Sequence, residues 1–179
     1  MKIRTYLPLF AVLLLLSFVS VAFVNEPVTP ESTGKIIKEN VHEVAGVVAD
    51  GEEIYMTRCL SCHMANGEGV PGVFPPLTGS EYVTGDKGQV IRMILNGLTG
   101  EITVKDVTYS GMMPPWGGFL DDQQIADVLT YVRSSFGNEA EGVSAEEVAA
   151  VRAKVGDRKE AWTIEELNQE ENQGIPGGD

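Results

Sequence analysis

The feature that most narrows what this chain can become is the pentapeptide Cys59-Leu60-Ser61-Cys62-His63. It holds both cysteines and one of the two histidines in 179 residues. Two thiols cannot staple a disulfide-dense scaffold, and a four-ligand zinc site built from Cys and His alone would need every one of these side chains. An apolar fraction of 43% is ordinary for a globular protein. The 26 acidic against 13 basic residues, a formal charge of −13, argue against a general nucleic-acid binder.

Cysteines at this spacing lie one helical turn apart, so each can add to a vinyl group of a haem, and the adjacent imidazole can swing beneath the iron. The string reads as a c-type haem attachment, one covalent haem with its iron. Three rivals fit less well. A thioredoxin-like dithiol belongs at a strand-to-helix turn of a βαβ unit, and no strand–helix alternation is read here. Zinc would have to recruit distant His42 or a carboxylate. A disulfide between Cys59 and Cys62 would close a very short loop and leave the long loops of the chain without a purpose.

Four stretches differ in composition. Residues 1–24 open with Lys2 and Arg4 and then run uncharged for nineteen residues, Tyr6 to Val24. That length lies between a cleaved signal peptide and a membrane anchor formed by residues 6–24. Cleavage after Ala22 fits the first, and the continuing Phe23 and Val24 fit the second. Either way the two cations hold the N-terminus inside, which makes the remainder periplasmic or outward-facing on the membrane. Residues 25–46, rich in Pro, Ser and Thr, read as a linker, with a helix around Lys35–Val48 as the alternative. Residues 138–179 form an acidic tail of eleven acids and four bases. Capping boxes at Ser144-x-x-Glu147 and Thr163-x-x-Glu166 predict two short helices there, expected to pack loosely as a solvated extension.

Between them, residues 47–137 read as a helical domain. Helix starts are predicted at Asp50, Asp86 and Asp121, each followed three residues on by Glu or Gln. Ile125, Val128, Leu129 and Val132 make the buried stripe of the last helix. The connections 67–85 and 98–120 read as long Gly/Pro loops, uncommon in so small a domain unless they serve a function or wrap something. Side chains alone would make a thin core at this size.

A haem iron carrying one histidine is open to a second ligand, and a methionine favours electron transfer. Met56, Met64, Met93, Met112 and Met113 are the candidates. The first two lie too near His63 along the chain, and Met93 sits in a helix where packing is its natural role. Met112 and Met113 occupy a loop stiffened by Pro114 and Pro115.

Taken together, Cys59–His63, the segment Phe74-Pro75-Pro76-Leu77-Thr78-Gly79-Ser80 and the run Tyr109–Asp121 around Met112-Met113-Pro114-Pro115-Trp116 resemble the class I mono-haem cytochromes c of exported bacterial proteins. The resemblance covers about half the chain. It implies an all-α cytochrome c fold, three main helices wrapped around the haem, with the first and last helices crossing near Tyr131 and Val132. It makes Cys59 and Cys62 the haem thioethers and His63 and Met113 the iron ligands, with Met112 as runner-up. Pro75 would offer its carbonyl to the other nitrogen of His63. The doubled methionine, the linker and the tail depart from the family core.

The function implied is one-electron transfer between redox partner proteins, with no small-molecule substrate and no enzymatic activity of its own. Without its first 24 residues the chain stands at about −15, so a basic docking surface on the partner is expected. Two alternatives are a cytochrome subunit of a larger membrane-bound dehydrogenase, oxidase or reductase, and a haem catalyst with an open iron.

Overall fold

A computed structural model describes residues 46–48 and 50–177. The leader, nearly all of the linker and His42 lie outside the described residues. Residues 50–58 are helical (α1); Asp50 is itself inside the helix and so does not cap it. After Cys59 the chain continues in α2 (Leu60–His63), held to α1 by Cys59 N–H donating to Tyr55 O at 2.9 Å.

The two other helix starts are built as their sequences specify. The Asp86 carboxylate accepts from Gln89 N at the head of α4 (Lys87–Asn96), preceded by the short α3 (Glu81–Thr84). Asp121 and Gln124 form a reciprocal capping box on α5 (Asp122–Ser134). At Gly51, α1 crosses α5 so closely that a Cβ there would collide with the Asp127 carbonyl and lie 2.8 Å from Tyr131 Cβ. Beside this crossing Tyr55, fully buried, packs its ring against Tyr131 and Phe136.

The all-α expectation needs correction. Residues 98–113, read as loop, form an antiparallel hairpin of β1 (Leu98–Val104) and β2 (Val107–Met113), registered Leu98↔Met113, Gly100↔Gly111, Ile102↔Tyr109 and Val104↔Val107. These four pairs share one face, on which Leu98, Ile102, Val104 and Tyr109 are buried. Lys105 and Asp106 make the two-residue turn with φ of 51° and 63°, the double left-handed pattern that suits the twist of a hairpin. Glu81 fixes this turn by accepting from Lys105 N–H at 3.2 Å.

The tail is not a loose extension. Both predicted capping boxes form, opening α6 (Ala145–Val155) and α7 (Ile164–Leu167), with a 3-10 turn following at Glu170–Asn172. Val148 and Val151 of α6 are completely buried in one core with Ile91 of α4 and Ile125 of α5. Leu167, also fully buried, joins Trp162 in a second core with Met93 and the inward face of the hairpin. Trp162 extends β1 by a bridge, donating to Gly97 O at 3.0 Å and accepting from Thr99 N at 2.8 Å. The tail's few cations do much of the anchoring. Arg152 pairs with Asp122 at 2.7 Å and donates to the carbonyls of Gly117 and Leu120. Arg158 lies 3.7 Å above the Trp162 ring while pairing with Glu166 at 2.8 Å. The acidic side chains mostly face outward, so overall charge says little about how this segment packs.

Candidate functional site

The continuous α1–α2 turn presents Cys59, Cys62 and His63 to one cavity. Both cysteines are half-buried free thiols. Burial, with Cys62 beside it, pushes the Cys59 thiol up to about 11.

His63 is oriented from behind. Its Nδ1 lies 3.0 Å from the Pro75 carbonyl oxygen. A carbonyl only accepts, so Nδ1 carries the proton and donates, leaving Nε2 as the nitrogen with a free lone pair. Burial holds the imidazole pKa below its ordinary value, opposed by the hydrogen bond to Pro75. Space for the Pro75 carbonyl depends on Gly69, whose φ is +66° and whose added Cβ would sit 2.6 Å from that oxygen. The same loop is pinned downstream, where Leu77 N and Thr78 N both donate to Gly67 O at 2.7 and 3.1 Å.

Met112 and Met113 fall on opposite faces of β2, as successive strand residues must. Met113 is half-buried on the inward face opposite Leu98, whereas Met112 is 73% exposed. The hairpin thus separates two methionines that a flexible loop would have left equivalent.

All these residues border one cavity of about 400 Å³, whose walls include Cys59, Cys62, His63, Pro75, Met112 and Met113. The rest of the wall is largely apolar, with Met93 and Ile94 from α4, Leu98 and Ile102 from β1, and Leu129 from α5. That size and lining suit a cofactor. Its single charged wall residue is Arg58, whose guanidinium lies 5.8 Å from the Trp116 ring centre. The donor set fits a haem: two thiols and an imidazole on one helical turn, a thioether on the hairpin, and apolar walls between. It does not fit zinc, because among the described residues no three His, Cys, Asp or Glu side chains gather as a metal-holding group.

Several contributors were not legible in the sequence. Asn138, just beyond α5, is 3% exposed, accepts from Gly79 N at 2.8 Å, and donates to the carbonyls of Leu77 at 3.1 Å and Val132 at 2.8 Å. It ties the loop behind His63 to α5, with a contact across 61 positions that has no local signal. The Tyr55 hydroxyl donates to Met64 O at 2.6 Å and closes the turn after His63. For the hairpin, the alternation Ile102, Val104, Val107, Tyr109 was the available cue.

A helical domain closed over an apolar cavity, with a Cys-x-x-Cys-His turn on its wall, defines a c-type cytochrome, and comparison with known proteins agrees. The family model for Cytochrome c matches residues 48–136. Cytochrome c-552 of Thermus thermophilus is 40% identical over 115 residues, covering 59% of this chain and 86% of the relative. The chain belongs to the cytochrome c family and carries covalent haem c as an electron-transfer protein. It is also 36% identical over 105 residues to the cytochrome c subunit of a quinone alcohol dehydrogenase from Gluconobacter oxydans, covering 57% of this chain and 22% of that one. Its identity to the cbb3-type oxidase subunit CcoP of Azospirillum brasilense is 31% over 96 residues, covering 50% of this chain and 29% of that one.

Proposed function

We propose that Cys59 and Cys62 form the two thioether links to the haem, that His63 and Met113 are its iron ligands, and that the protein shuttles single electrons without transforming a substrate of its own. Bound there, the haem supplies the Fe(III)/Fe(II) couple. The observation that supports the assignment is the shared cavity, which both methionines border, with Met113 half-buried on the inward face of β2 and Met112 73% exposed on the outward face. Pro75 keeps the His63 proton on Nδ1, so Nε2 stays available as a donor atom and its basicity is raised. The apolar walls keep water from the site, and the paired ligands favour electron transfer over binding of gases or peroxide.

We place the protein outside the cytoplasmic membrane, exported by residues 1–24. Among the described residues no helix is long and apolar enough to cross a membrane, so any anchorage rests on residues 6–24. With a formal charge of −13, a redox partner with a basic docking surface would be met faster, an effect that salt weakens. Service as a subunit of a larger dehydrogenase or oxidase is the second reading, favoured by the relatives that are such subunits.

The test is intact-mass and absorption analysis of the full chain from an export-competent host. The expected result is one haem adduct, lost when Cys59 and Cys62 are both changed to Ala, with a ferric methionine–iron absorption band. A colourless folded protein would refute the assignment. The same spectrum reports the mature N-terminus.

A further inference from the structure

Two glycines face each other across the middle of the hairpin, Gly100↔Gly111. They share the inward face with Leu98↔Met113 on one side and Ile102↔Tyr109 on the other, and both border the cavity. Glycine weakens a strand, because it gives up the most chain entropy and has no side chain to pack, so a pair at the centre of one needs a reason. For Gly100 part of the reason is its φ of +89°, a backbone that side-chain-bearing residues rarely adopt. Gly111 lies outside that left-handed region, so its backbone does not demand glycine. Crowding does not demand it either, since a Cβ added at Gly111 or at Gly100 meets nothing within 4 Å. Open space over both, walled by the cavity residues, is what remains to be explained.

We infer that Gly111, with Gly100 opposite, is a positioning residue for the prosthetic group: the missing side chains keep open the part of the cavity into which the edge of the haem fits, one register step from Met113. This deepens the assignment above and rests on it. A side chain at 111 would compete with the haem for that space, while the strand itself would accept or prefer it. A small one would replace water over the group, and removing water favours the less charged ferrous form.

The experiment compares Gly111→Ala, Gly111→Val and, as control, Ser110→Val in the full chain from an export-competent host. Ser110 lies on the outward face of the same strand. Readouts are haem per chain by mass, the methionine–iron absorption band and the midpoint potential. Gly111→Val is expected to keep its covalent haem but to lower the ratio of methionine-ligated to methionine-free iron, read from the absorption band, by about five-fold, the lower end of what an overpacked site loses. Gly111→Ala is expected to retain haem with a raised midpoint potential, and Ser110→Val to match the parent in all three. The inference is overturned if both Gly111 variants match the parent, or if Ser110→Val moves the readouts as far as Gly111→Val does. A parent chain that itself takes up no haem overturns the assignment of the site instead.

Discussion

Replacing Asn138 with Ala tests whether one buried amide holds the loop behind His63. The side chain makes three hydrogen bonds to backbone, two as donor through Nδ2 and one as acceptor through Oδ1. Each is worth about 1 kcal/mol on average, and they are unequal here. Gly79 is exposed, so water can replace the lost partner of its N–H at little cost. The bond to the Val132 carbonyl is buried, and leaving that oxygen bare adds a desolvation penalty. The sum is about 3 kcal/mol, which for a chain of this size lowers Tm by about 10 °C. Asn138→Asp sharpens the test. It keeps the acceptor for Gly79 but turns a carboxylate oxygen toward two carbonyls, so it should destabilise more than Ala despite being the closer isostere. Guanidinium unfolding of the ferric protein at neutral pH, followed by tryptophan fluorescence, measures both. A loss below about 1 kcal/mol for Ala, or an Asp variant milder than Ala, would refute the reasoning.

Other perturbations separate the site from its supports. Met113→Leu should abolish the methionine–iron absorption band and lower the midpoint potential, while Met112→Leu leaves both unchanged; spectroscopy and redox titration of the two variants decide. Leu167→Ala, at a fully buried tail position against the hairpin core, should cost about 2–4 kcal/mol in chemical unfolding, whereas a loosely packed tail would lose almost nothing. Asp127 titrates above the ordinary carboxylate range, first through burial, with its bond from Gln123 opposing and Asp50 and Asp121 adding repulsion. Its folded form therefore holds the proton more tightly than the unfolded one, and stability falls as pH rises from the unfolded carboxylate range through the raised native value. Asp127→Asn, which keeps the Oδ1 acceptor for Gln123, should raise Tm at neutral pH, and the gain should fade on acidification; a gain independent of pH would contradict the assignment.

What could be read in advance was local. Asp86 with Gln89 and Asp121 with Gln124 announce helix starts because a cap is satisfied within three residues, and Cys59 to His63 carry their chemistry in five consecutive positions. The hairpin escaped because Lys105-Asp106 takes a turn that usually advertises itself as Asn-Gly or Asp-Gly, and because Gly100 and Gly111 interrupt the strands. Asn138 and the tail escaped because their partners are distant in sequence. Gln89 Nε2 donates to Leu167 O at 2.8 Å, and Asp86, already capping α4, also accepts from Gly174 N at 3.0 Å.

These distant contacts bear directly on the ligand assignment. A methionine followed by two prolines in an irregular loop would not be oriented by its sequence, and either of the two thioethers would serve. Here Met113 closes a strand whose partner, β1, is itself held by Trp162 through the bridge at Leu98, and Leu167 packs beneath the same face. The strand's twofold alternation then turns Met113 inward and Met112 outward. Slipping β2 by one residue to exchange them would also turn Tyr109, on the same strand, out of the core and away from Ile102. The acidic tail, which a family core does not require, therefore contributes to choosing which of the two methionines lies on the inward face of the hairpin.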